Sequence, residues 1–181
     1  MKRAIVLAPD MSGAPLMELR KWLGISSNTE EALLLSLLRT SVEMCEAFTG
    51  LVPLETTLEF IIPPVAGWHR LAASPVNAIQ TVAILSANGS RTPVQVGQYE
   101  TEISSDGTGS IRLTGDQPGR AVAIRCSAGL AANWYALAEP LKHGIVRLAA
   151  HHFRDRDNAG TATPPASVAA LWRPWRIARL A

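Results

Sequence analysis

The most regular hydrophobic pattern of the chain lies at residues 28–50, which read NTEEALLLSLLRTSVEMCEAFTG. Its apolar residues recur at steps of three and four positions, which is the spacing that one face of an α-helix requires. Asn28 and Glu31 have capping-box spacing, and Gly50 is the usual residue type just beyond a helix C-terminus. The pattern predicts an amphipathic helix over residues 29–49, whose stripe comprises Leu33, Leu34, Leu37, Leu38, Ser41, Met44, Cys45 and Phe48.

A second long helix is predicted near the other end of the chain, over residues 140–156. Pro140 suits the first helical turn, and Leu141 and Ile145 then fall on one apolar stripe. A shorter helix is predicted over residues 16–23. We expect the two long helices to pack together as a core, because each has an apolar face to bury.

Between these helices the hydrophobic period changes to two. Residues 54–128 alternate apolar and polar side chains, as at Leu58 and Phe60, and turn signals such as Asn88-Gly89 separate the runs. We expect about five or six short, mostly antiparallel strands. The predicted fold class is α+β: a helical core with an inserted antiparallel β region and an extended C-terminal tail. Residues 1–157 are expected to form a single domain, and residues 158–181 a connector and tail.

The composition is that of a globular protein. Of the 181 residues, 48% are hydrophobic and 18% are charged, which argues against a disordered chain. Cys45 and Cys126 are far apart and fall on apolar faces, so a zinc module or disulfide scaffold is disfavoured. The apolar run after Met1 is too short for an export signal, and no run is suited to cross a membrane. We expect a soluble protein made in the cytoplasm.

Positive charge is concentrated at the C-terminal end. Residues 141–181 contain 7 Lys or Arg and 2 Asp or Glu, whereas residues 1–140 contain 10 and 13. After a connector at residues 158–165, the last stretch of the chain contains Trp172, Arg173, Trp175, Arg176 and Arg179. Tryptophan and arginine are both enriched at interface hot spots. Two interpretations stay open: the tail docks on a partner, or it folds back on its own domain with its arginines solvated.

Local motifs give little support to catalysis. The chain has no GxSxG, P-loop or GxGxxG motif, so no catalytic residue and no cofactor are predicted. His151 and Asp155 lie one helical turn apart and are the nearest approach to a metal site, with Asp157 close by. Adjacent His152 points about 100° away from His151. We therefore expect one exposed and one inward-facing histidine rather than a metal centre.

The order of these features resembles the head–tail connector (adaptor) proteins of long-tailed bacteriophages and of phage-derived gene transfer agents. The likeness spans roughly residues 14–178. Two features differ from the family pattern: Trp175 stands where the family commonly has Tyr, and the connector at 158–165 has a different composition. The stretches that carry it include LRKWLGI at 19–25, EEALL at 30–34, CEAFTG at 45–50, EPLK at 139–142, AAHHFRDR at 149–156 and ALWRPWR at 170–176.

The resemblance implies a structural protein that performs no chemistry. Its subunits would form a ring of about twelve copies that attaches to the portal, extends the DNA channel and provides the platform for the next neck or tail component. The protein would lie at the head–tail interface of a phage or phage-like particle. The C-terminal segment would dock on the portal. From the residues themselves, we expect Trp172 and Trp175 to be the buried anchors and the arginines to face acidic groups. The docking residues implied are Leu171, Trp172, Arg173, Pro174, Trp175, Arg176 and Arg179.

Three alternatives remain at this point. One is a different phage neck or tail-completion protein with the same order of elements. Another is a basic nucleic-acid-binding module, which the scarcity of Lys and Arg in the strands disfavours; non-specific contact of some arginines with transiting DNA also stays open. A small metal-dependent enzyme is the third, and it would depend on His151.

Overall fold

Helices and strands segregate along the chain into two units. The computed structural model describes residues 1–155 and 163–177. Residues 1–8 and 55–130 form one unit, here the β unit; residues 9–54 and the described residues from 131 onward form the other, the helical unit. The predicted α+β class is confirmed. The expected domain boundary at residue 157 falls in a stretch, 156–162, that lies outside the described residues.

The helical unit contains four helices and a short 3₁₀ turn. The turn is Arg173–Trp175 and directly continues the last helix. The helices are α1 (Ala14–Leu23), α2 (Glu31–Thr49), α3 (Glu139–Arg154) and α4 (Ala166–Trp172).

Helix α2 confirms the helix predicted over residues 29–49, with corrections at its N-terminus and at Leu33, which belongs to the predicted apolar stripe but is 38% exposed. Gly50 ends the helix in the left-handed conformation at φ 80°, where a side chain would be strained. The predicted capping box is wrong, because Glu30 is the N-cap and no side chain caps the first turn. The Glu31 amide instead donates to the Asn28 carbonyl at 3.2 Å, so backbone atoms form the turn.

The expected packing of the two long helices is confirmed. Helix α3 lies against α2, and α1 and α4 pack on the same pair. Burial of each leucine or isoleucine in such a core contributes roughly 1.5–3 kcal/mol. The fully buried side chains include Leu19 of α1, Leu34, Leu38 and Cys45 of α2, Leu141, Ile145 and Leu148 of α3, and Val168 and Trp172 of α4.

The β unit holds two antiparallel sheets, with more strands than predicted. The order is β1-β2-β8-β4-β5 in the larger sheet and β3-β7-β6 in the smaller one. The strands are β1 (Lys2–Leu7), β2 (Thr56–Ile62), β3 (Gly67–Arg70), β4 (Val76–Leu85), β5 (Arg91–Pro93), β6 (Tyr99–Ile103), β7 (Gly109–Leu113) and β8 (Ala121–Ala128).

The burial of side chains in each strand explains why the sequence predicts some strands and not others. Leu58, Phe60 and Ile62 of β2 are buried and alternate with half-buried neighbours, as expected. β1 is exposed along its whole length, so it has no alternating pattern. For that reason the sequence does not predict this strand.

Within residues 1–155 and 163–177, no helix combines the length and the apolar character that a membrane-spanning segment needs.

Candidate docking surface at the C-terminal segment

The C-terminal segment, residues 163–177, is a folded element rather than an extended tail. Its helix α4 begins after Pro165, whose carbonyl accepts hydrogen bonds from the Val168 and Ala169 amides at 2.9 Å each. Proline suits this position because it has no amide proton to leave unpaired. Pro174 then shapes the 3₁₀ turn, in which the Arg176 amide donates to the Arg173 carbonyl at 3.2 Å.

Trp172 places this segment in the core of the helical unit. Its side chain is fully buried, and its indole Nε1 lies 3.5 Å from the Leu141 carbonyl oxygen, to which it donates. The Phe48 ring packs against it at a centroid distance of 6.0 Å. Gly144 also lies against the indole, and a Cβ atom there would come within 2.7 Å of Trp172 Cε2. Trp172 therefore fills a space that the absence of a side chain at Gly144 creates.

The end of the segment is held at the C-terminus of α2. The Ile177 amide donates to the Thr49 carbonyl at 2.8 Å. The Arg176 guanidinium lies 5.7 Å from the centre of the Phe48 ring, which is within range of a cation–π interaction. Because the last carbonyls of a helix carry partial negative charge, a cation is favoured at this position. Both ends of the segment thus contact the body of the helical unit.

The opposite side of the segment presents cations to solvent. Arg173, Pro174 and Arg176 are exposed, and Trp175 is half-buried between them and the core. We call these four residues the basic face. Each guanidinium offers five N–H donors in a planar fork that matches carboxylate or phosphate oxygens. The basic face therefore has the chemistry to bind an acidic surface.

The residues expected to dock thus divide between core and surface. Trp172 is in the core and Leu171 is half-buried. These two residues therefore fit the interpretation in which the segment folds back on its own domain. The basic face remains open to a partner. Arg179 lies outside the described residues. Docking itself stays a prediction.

The histidine pair is separate from this surface. His151 is exposed and its Nε2 lies 3.9 Å from Asp155 Oδ2, whereas the Nε2 atom of His152 is buried. The expectation of one exposed and one inward-facing histidine is confirmed. Burial, and to a smaller degree the neighbouring His151, lower the pKa of His152 below 6.5. Within residues 1–155 and 163–177 no three His, Cys, Asp or Glu side chains are grouped so as to hold a metal ion, and Asp157 lies outside them.

A cleft between α1 and α3 was not anticipated from the sequence. It has a volume of about 660 Å³, and Trp22 on its wall is 45% exposed, with its ring edge-on to His143 at 5.3 Å. No sequence motif marks this cleft, because its walls come from helices at opposite ends of the chain. Its lining residues are Glu18, Lys21, Trp22, Glu139, Lys142, His143, Val146 and Arg154.

Three solved structures that share this fold are chains of gene transfer agent particles. A chain in the neck of an empty gene transfer agent particle, computed with six-fold symmetry, has a TM-score of 0.79 at 24% identity, which shows the fold alone. A chain in the neck of the native particle, computed with twelve-fold symmetry, has a TM-score of 0.75 at 26% identity. A chain in the native gene transfer agent virion has a TM-score of 0.74 at 26% identity.

In each of these three comparisons the similarity extends over nearly the whole length of both chains. Each alignment covers 100% of this chain and 98% of the matched chain. No family model and no curated protein matches the chain. By fold and by full-length similarity, the chain is therefore like a structural component of the neck of a gene transfer agent particle.

Proposed function

We propose that this protein is a structural component of the neck of a phage-like particle, acting as a ring-forming adaptor. It attaches to the portal, extends the DNA channel and carries the next neck or tail component. The observation that carries the proposal is the full-length likeness, at 26% identity, to a chain in a neck computed with twelve-fold symmetry. A symmetric neck of this kind fits a closed ring of identical subunits.

The basic face is the surface that we assign to the portal. Arg173 and Arg176 would pair with acidic portal groups, and Trp175 would supply apolar contact beside them. We assign Arg179 to the same contact on sequence grounds. Leu171 and Trp172 would support the face from within the helical unit. This division of roles follows from which side chains are exposed and which are buried.

Because the C-terminal segment is already folded, docking on the portal is expected to cost less conformational entropy. A tail that orders only on binding loses conformational entropy at that moment, which weakens each contact. Here Trp172 and Ile177 already hold the segment in place, so less ordering is needed when it binds. Repetition of this contact around a ring then adds avidity, because copies held in one ring dock together.

Co-sedimentation with the portal ring encoded in the same gene cluster tests the proposal. The chain is expected to travel with the portal at about twelve copies per ring. Reversing the charge of the basic face, with Arg173→Glu and Arg176→Glu together, is expected to abolish this. The matched control reverses two exposed arginines of the β unit, Arg70→Glu and Arg120→Glu, and is expected to bind normally.

Two other results would contradict the proposal, each in a different part. If the basic-face variant still binds, another surface docks on the portal and the assignment of the face is wrong. If the unmodified chain does not bind, the adaptor function is wrong, and a neck protein that contacts other components becomes the better hypothesis. A truncation before α4 is a poor substitute for these variants, because it would remove Val168 and Trp172 from the core.

A further inference from the structure

Strand β1 leaves one edge of the larger sheet open. It pairs with β2 on one side, and no strand of the described residues pairs with its other side. Its apolar side chains are also exposed: Ile5 by 48%, Val6 by 45% and Leu7 by 67%. An edge of this kind presents unpaired amide and carbonyl groups beside apolar side chains, and so favours pairing with a further strand.

The opposite edge of the same sheet is protected. β5 has only three residues and ends in Pro93, which has no amide proton to donate. Arg91 of β5 is also engaged, through two hydrogen bonds to the Glu59 carboxylate at 2.6 and 2.9 Å. Short strands and prolines are common devices against edge pairing. The contrast indicates that the edge at β1 is left open so that another strand can pair with it.

A complementary edge exists in the smaller sheet. β6 pairs with β7 on one side, and no described strand pairs with its other side. Residues 100–103 of β6 are exposed. β6 carries Glu100 and Glu102 and no basic residue, whereas β1 carries Lys2 and Arg3 and no acidic one. Opposite charges across paired strands are favourable, and like charges are not.

We propose that β1 of one copy pairs with β6 of the next copy in the ring. This inference rests on the proposed adaptor function, because it takes a ring of identical subunits as its setting. Two different edges form the contact, so each copy uses β1 for one neighbour and β6 for the other, and the contact repeats until the ring closes. Pairing of β1 with β1 would instead stop at two copies. Main-chain hydrogen bonds would supply affinity, and Lys2, Arg3, Glu100 and Glu102 would set the choice of partner.

The two strands cannot pair within one chain. β2 and β8 stand between β1 and β4 in the larger sheet, and β6 packs beside β4. Neighbouring strands are about 4.8 Å apart, so β1 lies roughly 14 Å from β4. A disulfide requires Cα atoms within about 7 Å. A cross-link between β1 and β6 therefore reports on two copies.

Disulfide cross-linking of the full chain tests the pairing. Ala4→Cys and Thr101→Cys place thiols at exposed positions near the middle of each strand. With diamide as the oxidant, the double variant is expected to give a ladder of covalently linked multimers, either free in solution or assembled on the portal ring. Each single variant is expected to run as a monomer. The control pair, Ala4→Cys with Thr92→Cys on β5, is expected to give no ladder.

A charge exchange provides a second readout that does not depend on strand register. Reversal of β1 alone, with Lys2→Glu and Arg3→Glu, is expected to raise the concentration needed for assembly at least tenfold. Reversal of β6 alone, with Glu100→Lys and Glu102→Lys, is expected to do the same. The chain with all four changes is expected to assemble within about threefold of the original, because the charges are complementary again.

The outcomes separate this inference from the function it rests on. Rings that form without the ladder, and without sensitivity to either charge reversal, overturn the strand pairing and leave the adaptor function standing. Dimers from Ala4→Cys alone would show pairing of β1 with β1 and also overturn it. Absence of any assembly, both free and on the portal, overturns the ring and the inference together.

Discussion

The indole of Trp172 lies directly against the backbone of Gly144. A Cβ atom at Gly144 would come within 2.7 Å of Trp172 Cε2 and within 2.9 Å of Cδ1, closer than such atoms approach in folded proteins. The indole Nε1 donates to the Leu141 carbonyl, one turn earlier in the same helix. This contact joins the C-terminal segment to α3, so the position of the basic face depends on a glycine 28 residues before Trp172.

Gly144→Ala is expected to destabilise the helical unit, although the change would favour an isolated helix. Alanine in place of glycine in a helix interior stabilises by about 1 kcal/mol. Overpacking against the indole costs about 1–3 kcal/mol, so the net effect on the free energy of unfolding is expected to be a loss. Urea denaturation followed by tryptophan fluorescence measures it. Gly115→Ala, where a Cβ meets nothing within 4 Å, is the control. A more stable Gly144→Ala variant would contradict the close contact.

Trp172→Ala and Trp175→Ala are expected to have different effects. Trp172 is fully buried, and its removal leaves a cavity that costs about 3–5 kcal/mol. Trp175 is half-buried, so its loss is expected to cost about 1 kcal/mol. Thermal unfolding of the two single variants measures the difference. Equal costs would mean that Trp172 is not in the core. Portal binding is therefore best tested with Trp175→Ala, since the Trp172 variant changes the fold as well.

Acid is expected to weaken the β unit through Glu59. Its carboxylate accepts two hydrogen bonds from Arg91 and lies 3.6 Å from Arg125 Nη2. These contacts, the Arg91 hydrogen bond foremost, hold the pKa of Glu59 below 4.5 in the folded chain. A carboxyl whose pKa is lower when folded stabilises the fold above its unfolded pKa, and this stabilisation is lost as the pH falls through the folded value.

Glu59→Gln is accordingly expected to lower the free energy of unfolding by about 1 kcal/mol at pH 7, because the arginine partners are partly exposed to solvent. As the pH falls through the folded pKa of Glu59, the variant and the original chain are expected to converge. Urea denaturation at pH 7 and at pH 3 tests this. Glu55→Gln, at an exposed position just before β2, is expected to change neither value. A constant difference at both pH values would show that the charge of Glu59 is not responsible.

Both cysteines are expected to resist thiol reagents in the folded protein. Cys45 and Cys126 have no exposed surface. Burial raises the pKa of the Cys45 thiol to about 12 and that of the Cys126 thiol to about 11, so neither forms a thiolate near neutral pH. A colorimetric thiol assay should detect neither of them before denaturant is added, and both afterwards. Rapid labelling of either thiol in the native chain would show that its core opens readily.

The elements that the sequence predicted well are those with one apolar and one polar side. The stripe of α2 and the alternation of β2 both reflect a core that covers one face, and that periodicity is visible in any single sequence. β1 was missed because it is exposed throughout and carries no such period. The capping box at Asn28 and Glu31 was predicted wrongly, because a backbone turn occupies that position instead. Local spacing does not reveal which of two competing hydrogen bonds forms.

Sequence alone determined that the helices predicted over 29–49 and 140–156 would pack together, and that the end of the chain is rich in Trp and Arg, since periodicity and composition are properties of the chain itself. It left open whether that end docks on a partner or packs on its own unit. Only the tertiary structure separated the roles of Trp172 and Trp175, three residues apart. The space that receives Trp172 is formed by Leu141 and Gly144 of α3 and Phe48 of α2, and no local pattern encodes a pocket built from two helices so far apart in the sequence.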